Sequence, residues 1–198
     1  MYRRFGKRGF DLLAAALLIA ALAPAMVAVA LVVRVALGRP VMFRQLRAGR
    51  HGVAFTVLKF RTLRDGPGDD AARMTRAGRV LRALALDEWP QLVNVLRGEM
   101  SLVGPRPLPL DYLPHYSQRQ ALRLAVRPGL AGLAQAAGRN AVPWDARLEL
   151  DARYAEAPPR LARDLLLLLH CAALAAGGRG ASAPGHATMP ALKNEKSI

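Results

Sequence analysis

The sequence predicts an α+β fold, mainly helical, in which an N-terminal membrane helix precedes a compact domain built around a small β-hairpin. Three observations predict it. Leu12 to Val33 runs for 22 residues without a charged or hydrogen-bonding side chain. Two strand-like runs, Val41 to Gln45 and Val53 to Phe60, flank the turn-prone Gly49 to Gly52. The remainder is a series of apolar-periodic stretches punctuated by Pro and Gly, the pattern of short helices. At 198 residues the chain fits one domain with an appendage. The boundaries fall at 1–38 for the membrane helix, 39–180 for the compact domain with its interfacial helices, and 181–198 for a tail that is poorly ordered unless it docks.

Composition narrows the class. Hydrophobic residues make up 53% against 22% charged, which excludes a disordered chain. Lys and Arg outnumber Asp and Glu by 29 to 14, giving +15, so anionic partners are favoured: nucleic acid, phospholipid headgroups or phosphorylated substrates. The single cysteine, Cys171, forbids an internal disulfide, and four scattered histidines lack zinc-ligand spacing. Residues 1–50 hold nine Lys or Arg against Asp11 alone, which turns that end toward an anionic surface.

At about 1.5 Å per residue the uncharged run matches a bilayer core of about 30 Å. It exceeds the h-region of a signal peptide, and no cleavage site follows it, so it reads as retained. Pro24 near its middle removes a backbone donor, at about 3 kcal/mol in an ordinary helix interior. Both flanks are basic, so the positive-inside rule assigns both ends to the cytoplasm. A re-entrant hairpin broken at Pro24 resolves that conflict; a single span with Arg34 snorkelling to the interface is the alternative, and the residues alone leave the two even.

Beyond the hairpin, Asp65 to Asp70 is a polar Gly/Pro loop. Thr75 can cap a basic amphipathic helix running to about Leu86, and Asp87 can cap a second, Glu88 to Arg97, with Pro90 in its first turn and Gly98 closing it. Gly104 to Pro109 carries three prolines and forms a rigid loop. Further helices are predicted over Ser117 to Val126, Trp144 to Glu156 and Leu161 to Ala176; the last is too short in its uninterrupted apolar part to span, and reads as core or interfacial.

Asp87 and Glu88 head a predicted helix, where ordinary N-capping is the commonest role for acidic residues. Their company points further. Arg82 lies five residues before them, and Arg106 sits between Pro105 and Pro107 soon after the same helix. A carboxylate can attack phosphorus when Mg2+ and guanidinium groups neutralise the phosphate, and the planar fork of arginine meets phosphate oxygens two at a time.

Five stretches carry a resemblance: KRGFDLLAA from Lys7, PVMFRQLRAG from Pro40, FTVLKFRTL from Phe55, LDEWPQLVNVLRGEMSLVGPRP from Leu86 to Pro107, and RPGLAGLAQAAGRN from Arg127. Over nearly its whole length from Lys7 the chain resembles the bacterial sugar transferases, small monotopic phosphoglycosyl transferases. The resemblance implies an enzyme of the bacterial inner membrane with its catalytic domain on the cytoplasmic face. Such an enzyme moves a phosphosugar from a UDP-sugar to polyprenol (undecaprenyl) phosphate and releases UMP, the first membrane step of glycoconjugate biosynthesis. It implies Asp87 and Glu88 as the catalytic dyad, Asp87 as the nucleophile with Mg2+ beside it, and a membrane helix broken at Pro24, which tips the reading toward the hairpin. It makes Arg106 a phosphate contact and places Lys59, Arg82 and Asp151 at or near the site.

The chain departs from the family pattern at Ala23, where Ser usually precedes the proline, at Trp89 in place of Leu, and at Ala136 and Ala137 in place of Val-Asn. The tail segment Gly185 to Pro190 resembles the ending of members that act on acetylated amino sugars, hinting at such a donor. Membrane lipid is the expected surface, and the oligomeric state, a homodimer included, is open. The rival reading is a membrane-tethered basic protein binding nucleic acid or anionic lipid without catalysis. With 6% aromatics and no nucleic-acid-binding motif, the sequence favours the enzyme and no nucleic-acid partner.

Overall fold

The computed structural model describes residues 6–178, 180 and 192. Helix α1, Lys7–Leu37, is one continuous helix with Pro24 inside it, so the break expected at Pro24 does not divide it into two helices. One proline removes one donor from a ladder of many, and the residues on either side stay helical. Asp11, Ala15, Val29 and Val33 form a buried stripe, with Ile19, Leu22 and Met26 packed against the core between them. The other face exposes Leu13, Leu17, Val27, Leu31 and Val35.

Strands β1, Met42–Ala48, and β2, Ala54–Phe60, form the predicted antiparallel hairpin, with Phe43 opposite Lys59 and Arg47 opposite Phe55. Helix α2, Asp70–Arg73, is capped by Asp69, which accepts from Ala72 N. Helix α3, Arg76–Ala83, is capped by Thr75 as predicted but ends before Leu86. Helix α4, Gln91–Arg97, closes at Gly98, whose φ of 86° suits glycine. Arginines gather at this helix end: Arg8 donates to Val95 O at 2.7 Å and Arg127 to Gly98 O at 2.8 Å, placing cations on the orphan carbonyls.

Strand β3, Ser101–Val103, pairs in parallel with β4, Gly129–Ala131. Neither strand was predicted. The pairing needs glycine: a Cβ on Gly129 would lie 2.1 Å from Gly104 N, so any other residue there pushes the strands apart. The predicted helix over Ser117 to Val126 divides into α5, Gln118–Ala121, with a Ser117/Gln120 capping box, and a 3-10 turn, Leu122–Ala125. Helix α6 spans Leu133–Ala136. Helices α7, Trp144–Glu156, and α8, Leu161–Ala176, have the predicted bounds. Gly185 to Pro190 and the rest of the tail, apart from Leu192, lie outside the described residues.

The main core gathers Ala15 of α1, Phe55 and Val57 of β2, Leu92 and Val95 of α4, Leu102 and Val103 of β3, and Leu167 of α8. Buried charges tie α1 to it. Asp164, fully buried, takes Lys7 at 3.0 Å, while Asp11 accepts from Leu102 N. At the opposite end of α1, Leu37 O accepts from Arg61. Both ends of the apolar helix are thus fastened to the same domain.

Candidate active site

The site is built where α3 ends. Ala85 takes a left-handed conformation, φ 54°, uncommon for a residue with a Cβ, and reverses the chain into a 3-10 turn, Leu86–Glu88. Arg139 secures this reversal by donating to Ala83 O at 2.8 Å and Arg82 O at 2.9 Å. The dyad therefore stands on a turn that leads into α4, and Asp87 makes no capping bond to it, which corrects the expectation of an Asp87-capped helix from Glu88. Pro90 is the N-cap of α4, which starts at Gln91 rather than Glu88.

The turn aims both carboxylates into a cavity of about 530 Å3, within the size range of small-molecule sites. Nine of its lining residues are Arg or Lys and four are Asp or Glu. Glu88 is saturated: Lys59 reaches Oε1 at 2.8 Å, and the Arg106 guanidinium grips both oxygens at 3.1 and 2.5 Å. Burial alone would raise its pKa, but Arg106 and Lys59 outweigh burial and hold it far below the usual carboxylate range. Glu88 stays ionised and cannot serve as a proton donor near neutrality.

Asp87 is the opposite case. It is 6% exposed, and no described residue gives it a hydrogen bond or an ion pair within 4.0 Å. Burial pushes its carboxyl up to about 6; Lys59, Arg82 and Arg106 pull it down from a distance, and Glu88 works against them. The result is a buried carboxylate in a cation-rich cavity with its oxygens uncommitted.

Lys59 arrives from β2 and Arg82 from the last turn of α3, where its Nε bonds Thr62 Oγ1 at 2.8 Å and its guanidinium lies 3.8 Å from Asp70. Arg106 arrives on the Gly104–Pro109 loop that follows β3. The structure brings Asp87, Glu88, Lys59, Arg82 and Arg106 to one cavity, and it does not bring Asp151 there. Asp151, 1% exposed on α7, pairs with the buried Arg123 at 2.8 Å. Arg123 in turn donates to Arg106 O at 2.6 Å and Tyr116 Oη at 2.8 Å. Asp151 thus acts from behind the loop, through Arg123, on the backbone that presents Arg106.

Sequence reasoning missed four arginines: Arg47, Arg123, Arg139 and Arg147. All four donate to backbone carbonyls: Arg139 at the dyad turn, Arg123 at the Arg106 loop, Arg147 of α7 to Arg139 O at 2.5 Å and Arg47 to Pro107 O at 3.4 Å. Helix α7 therefore supports both arms of the site. An available signal was the density of arginines beside the already quoted stretches, since Arg47 lies in PVMFRQLRAG and Arg139 in AAGRN.

No cluster of three or more His, Cys, Asp or Glu suited to a metal occurs among the described residues. Mg2+ is commonly held by one or two carboxylates together with substrate phosphates and water. Asp87, buried with uncommitted oxygens, fits that mode; Glu88, engaged by two cations, has little left to offer.

A cation-lined cavity around a carboxylate with no partner among the described residues, in a domain fastened to one long apolar helix, is suited to anionic substrates and fits a membrane location. The chain belongs to the bacterial sugar transferase family, whose model matches residues 2–176, and it is a transferase. It is 49% identical, over 76% of its length and 77% of the relative's, to the uncharacterized sugar transferase EpsL of Bacillus subtilis (strain 168). It is likewise 49% identical to the UDP-glucose:undecaprenyl-phosphate glucose-1-phosphate transferase of Caulobacter vibrioides, over 67% of this chain and 54% of that protein. Against the UDP-N-acetylgalactosamine-undecaprenyl-phosphate N-acetylgalactosaminephosphotransferase of Aeromonas hydrophila, identity is 37% over 74% of this chain and 38% of the relative. The relatives so named support phosphosugar transfer to polyprenol phosphate, and the long apolar helix, with an 18-residue stretch of mean hydropathy 2.7, fits a membrane location.

Proposed function

We propose that this protein is a phosphoglycosyl transferase that moves a phosphosugar from a UDP-sugar to undecaprenyl phosphate through a covalent intermediate on Asp87. The observation that carries the proposal is the isolation of Asp87: alone among the charged groups of the dyad turn it has no partner among the described residues, in a cavity whose other charges are mostly positive. An Asp87 oxygen attacks the sugar-bearing phosphorus, the bond from that phosphorus to the UMP oxygen breaks, and UMP leaves. The oxygen of polyprenol phosphate then attacks the same phosphorus, the aspartyl–phosphorus bond breaks, and the carboxylate is restored with a polyprenyl diphosphate sugar as product. Mg2+ held at Asp87 with the substrate phosphates would offset their charge. Glu88 holds Lys59 and Arg106 in place, and Arg82 flanks the attacking carboxylate.

Besides α1, large apolar residues are exposed on α3 (Val80), at its C-cap (Leu84) and on α8 (Leu165, Leu166, Leu169), side chains suited to lipid. The fastening of both α1 ends to one domain supports a placement with both ends on the same, cytoplasmic face. Cysteines placed at residues 2 and 37 test this: labelling of both from one side of a vesicle is expected, and opposite accessibility would mean a true span.

Release of UMP from a panel of UDP-sugars, including UDP-glucose and an N-acetylated amino-sugar donor, with polyprenol phosphate as acceptor, tests the reaction. Transfer of labelled phosphosugar to the protein is expected in the absence of acceptor, and its absence would remove the covalent intermediate from the account.

A further inference from the structure

The proposed function leaves the cavity with a charge problem. Arg106, the expected phosphate contact, already spends both arms of its fork on Glu88, and Lys59 is committed to the same carboxylate. Arg61 pairs with Asp65 and Arg73 with Asp70. Two other lining arginines, deeper than the rim, have no carboxylate partner within 4.0 Å among the described residues: Arg47 and Arg147.

Arg47 projects from β1 toward the Arg106 loop. Its terminal nitrogens touch neutral acceptors only, Gln45 Oε1 at 2.6 Å and Pro107 O at 3.4 Å, and its Nε is buried without a partner. Arg147, 4% exposed, rises from α7. It donates to Arg139 O at 2.5 Å and, more weakly, Asn140 Oδ1 at 3.4 Å; it stacks over Trp144 at 5.1 Å, and its Nε too is buried and unpartnered. The carboxylate one turn along the same helix, Asp151, gives its Oδ2 to Arg123; its Oδ1 is buried without a hydrogen bond, and it acts on Arg147 only from beyond 4.0 Å. A buried cation with no carboxylate in contact is costly, and here two share a cavity with Arg106, with Glu88 and Asp151 offsetting them only from a distance. Burial, reinforced by the charge of Arg106, lowers both guanidinium pKa values to about 10. Such a site is completed by an anion.

We propose that Arg47 and Arg147 are the residues that receive the phosphoryl oxygens of the substrate, while Arg106 remains bound to Glu88. The inference rests on the reading of the protein as a phosphosugar transferase only for the identity of the anion. Phosphoryl oxygens come either from the soluble nucleotide donor or from the lipid phosphate acceptor, and the chemistry of recognition is common to both.

The full-length chain in detergent micelles is titrated calorimetrically with UMP and, separately, with a short polyprenol phosphate, and melted with and without each. Arg47→Gln and Arg147→Gln are expected to weaken binding roughly ten- to a hundredfold, the worth of a charge-assisted hydrogen bond, whereas the exposed Arg153→Gln leaves it unchanged. Weakening toward UMP alone assigns the pair to the donor, toward the lipid phosphate alone to the acceptor, and toward both to a shared station. Arg47→Gln is also expected to raise the melting temperature of the ligand-free protein, because an uncompensated cation has been removed. A merely structural arginine would lower it. Unchanged affinity for both ligands, or weaker binding accompanied by a lower ligand-free melting temperature, overturns the proposal. Should Arg147→Gln fail to fold, Arg147→Lys keeps the charge without the fork and is expected to bind about threefold or more weakly; wild-type affinity there is equally fatal. If no UDP-sugar yields UMP while the variants still lose affinity, the transferase reading fails and the anion pair stands.

Discussion

Two buried acidic sites lie on either side of the Arg106 loop, and they are built on opposite rules. Behind it, Asp151 and Arg123 meet at 2.8 Å with 1% and 2% of their side chains exposed, and the spare nitrogens of Arg123 are taken by Arg106 O and Tyr116. In front of it, Asp87 is almost as buried and has no hydrogen-bond or ion-pair partner among the described residues. A matched buried pair contributes a fixed geometry, whereas an unmatched one stores a demand for charge that a substrate or metal can satisfy. Glu88 stands between them, matched by the cations that the unmatched neighbour also feels. Architecture and chemistry are thereby divided among three carboxylates within one small region.

The largest effect should come from removing the unmatched group. Asp87→Asn keeps the shape but not the proposed nucleophile, and UMP release is expected to fall by several orders of magnitude while the protein still folds and binds detergent or membrane. Retained turnover would show that the front carboxylate is only a neighbour of the chemistry.

Breaking the matched pair should instead unfold the support. Arg123→Met strands the Asp151 charge and is expected to cost about 3–5 kcal/mol, read as a lowered melting temperature, with the Arg106 loop loosened. Replacing both, Arg123→Met with Asp151→Leu, should recover much of that loss, because no isolated charge remains. If the single and double variants melt alike, the pair is not a coupled unit.

The same contrast has a pH signature. Asp87 titrates at about 6 in the folded protein against roughly 3.9 in an unfolded chain, so the folded form holds its proton longer. Its contribution to stability is present below about pH 4, is lost as pH rises to about 6, and stays absent above that. Asp87→Asn, measured with EDTA to exclude metal, should therefore be more stable than the parent at pH 7.5 by on the order of 3 kcal/mol, with the gain vanishing near pH 4. A gain independent of pH would mean that ionisation of Asp87 is not the source of the strain.

How far the fold was legible depended on how local its causes are. The bounds of α7 and α8 could be read because Pro158 and Pro159 separate two apolar-periodic runs. The β3–β4 pair could not: each strand has three residues, and the register joins Ser101 to Gly129 across the chain without a turn signal between them. At the site, the dyad and Arg106 were legible because acidic residues beside arginines and prolines form a pattern, but the left-handed Ala85 that turns the dyad inward has no signature of its own. Arg47 and Arg147 were missed because an arginine on a strand or helix reads as a solvated residue; only the folded cavity shows that they lack a counter-charge. The one residue that the family resemblance placed at or near the site and which lies elsewhere, Asp151, is a buried partner of Arg123, a pairing 28 residues apart.

The smallest effect sharpens the comparison from the satisfied side. Thr75 is buried, and its hydroxyl accepts from Gly78 N at 2.9 Å, closing the start of the helix whose far end delivers Arg82 and the dyad turn. Thr75→Ala removes that cap and is expected to cost about 1 kcal/mol of stability. The dyad turn is held at the other end of α3 by Arg139, through Ala83 O and Arg82 O, so its geometry does not pass through the cap. The rate of UMP release at a temperature well below melting should then remain within about twofold of the parent. A larger loss would mean that α3 transmits strain along its two turns to Ala85, and that the matched and unmatched polar groups of this domain are less separable than their contacts imply.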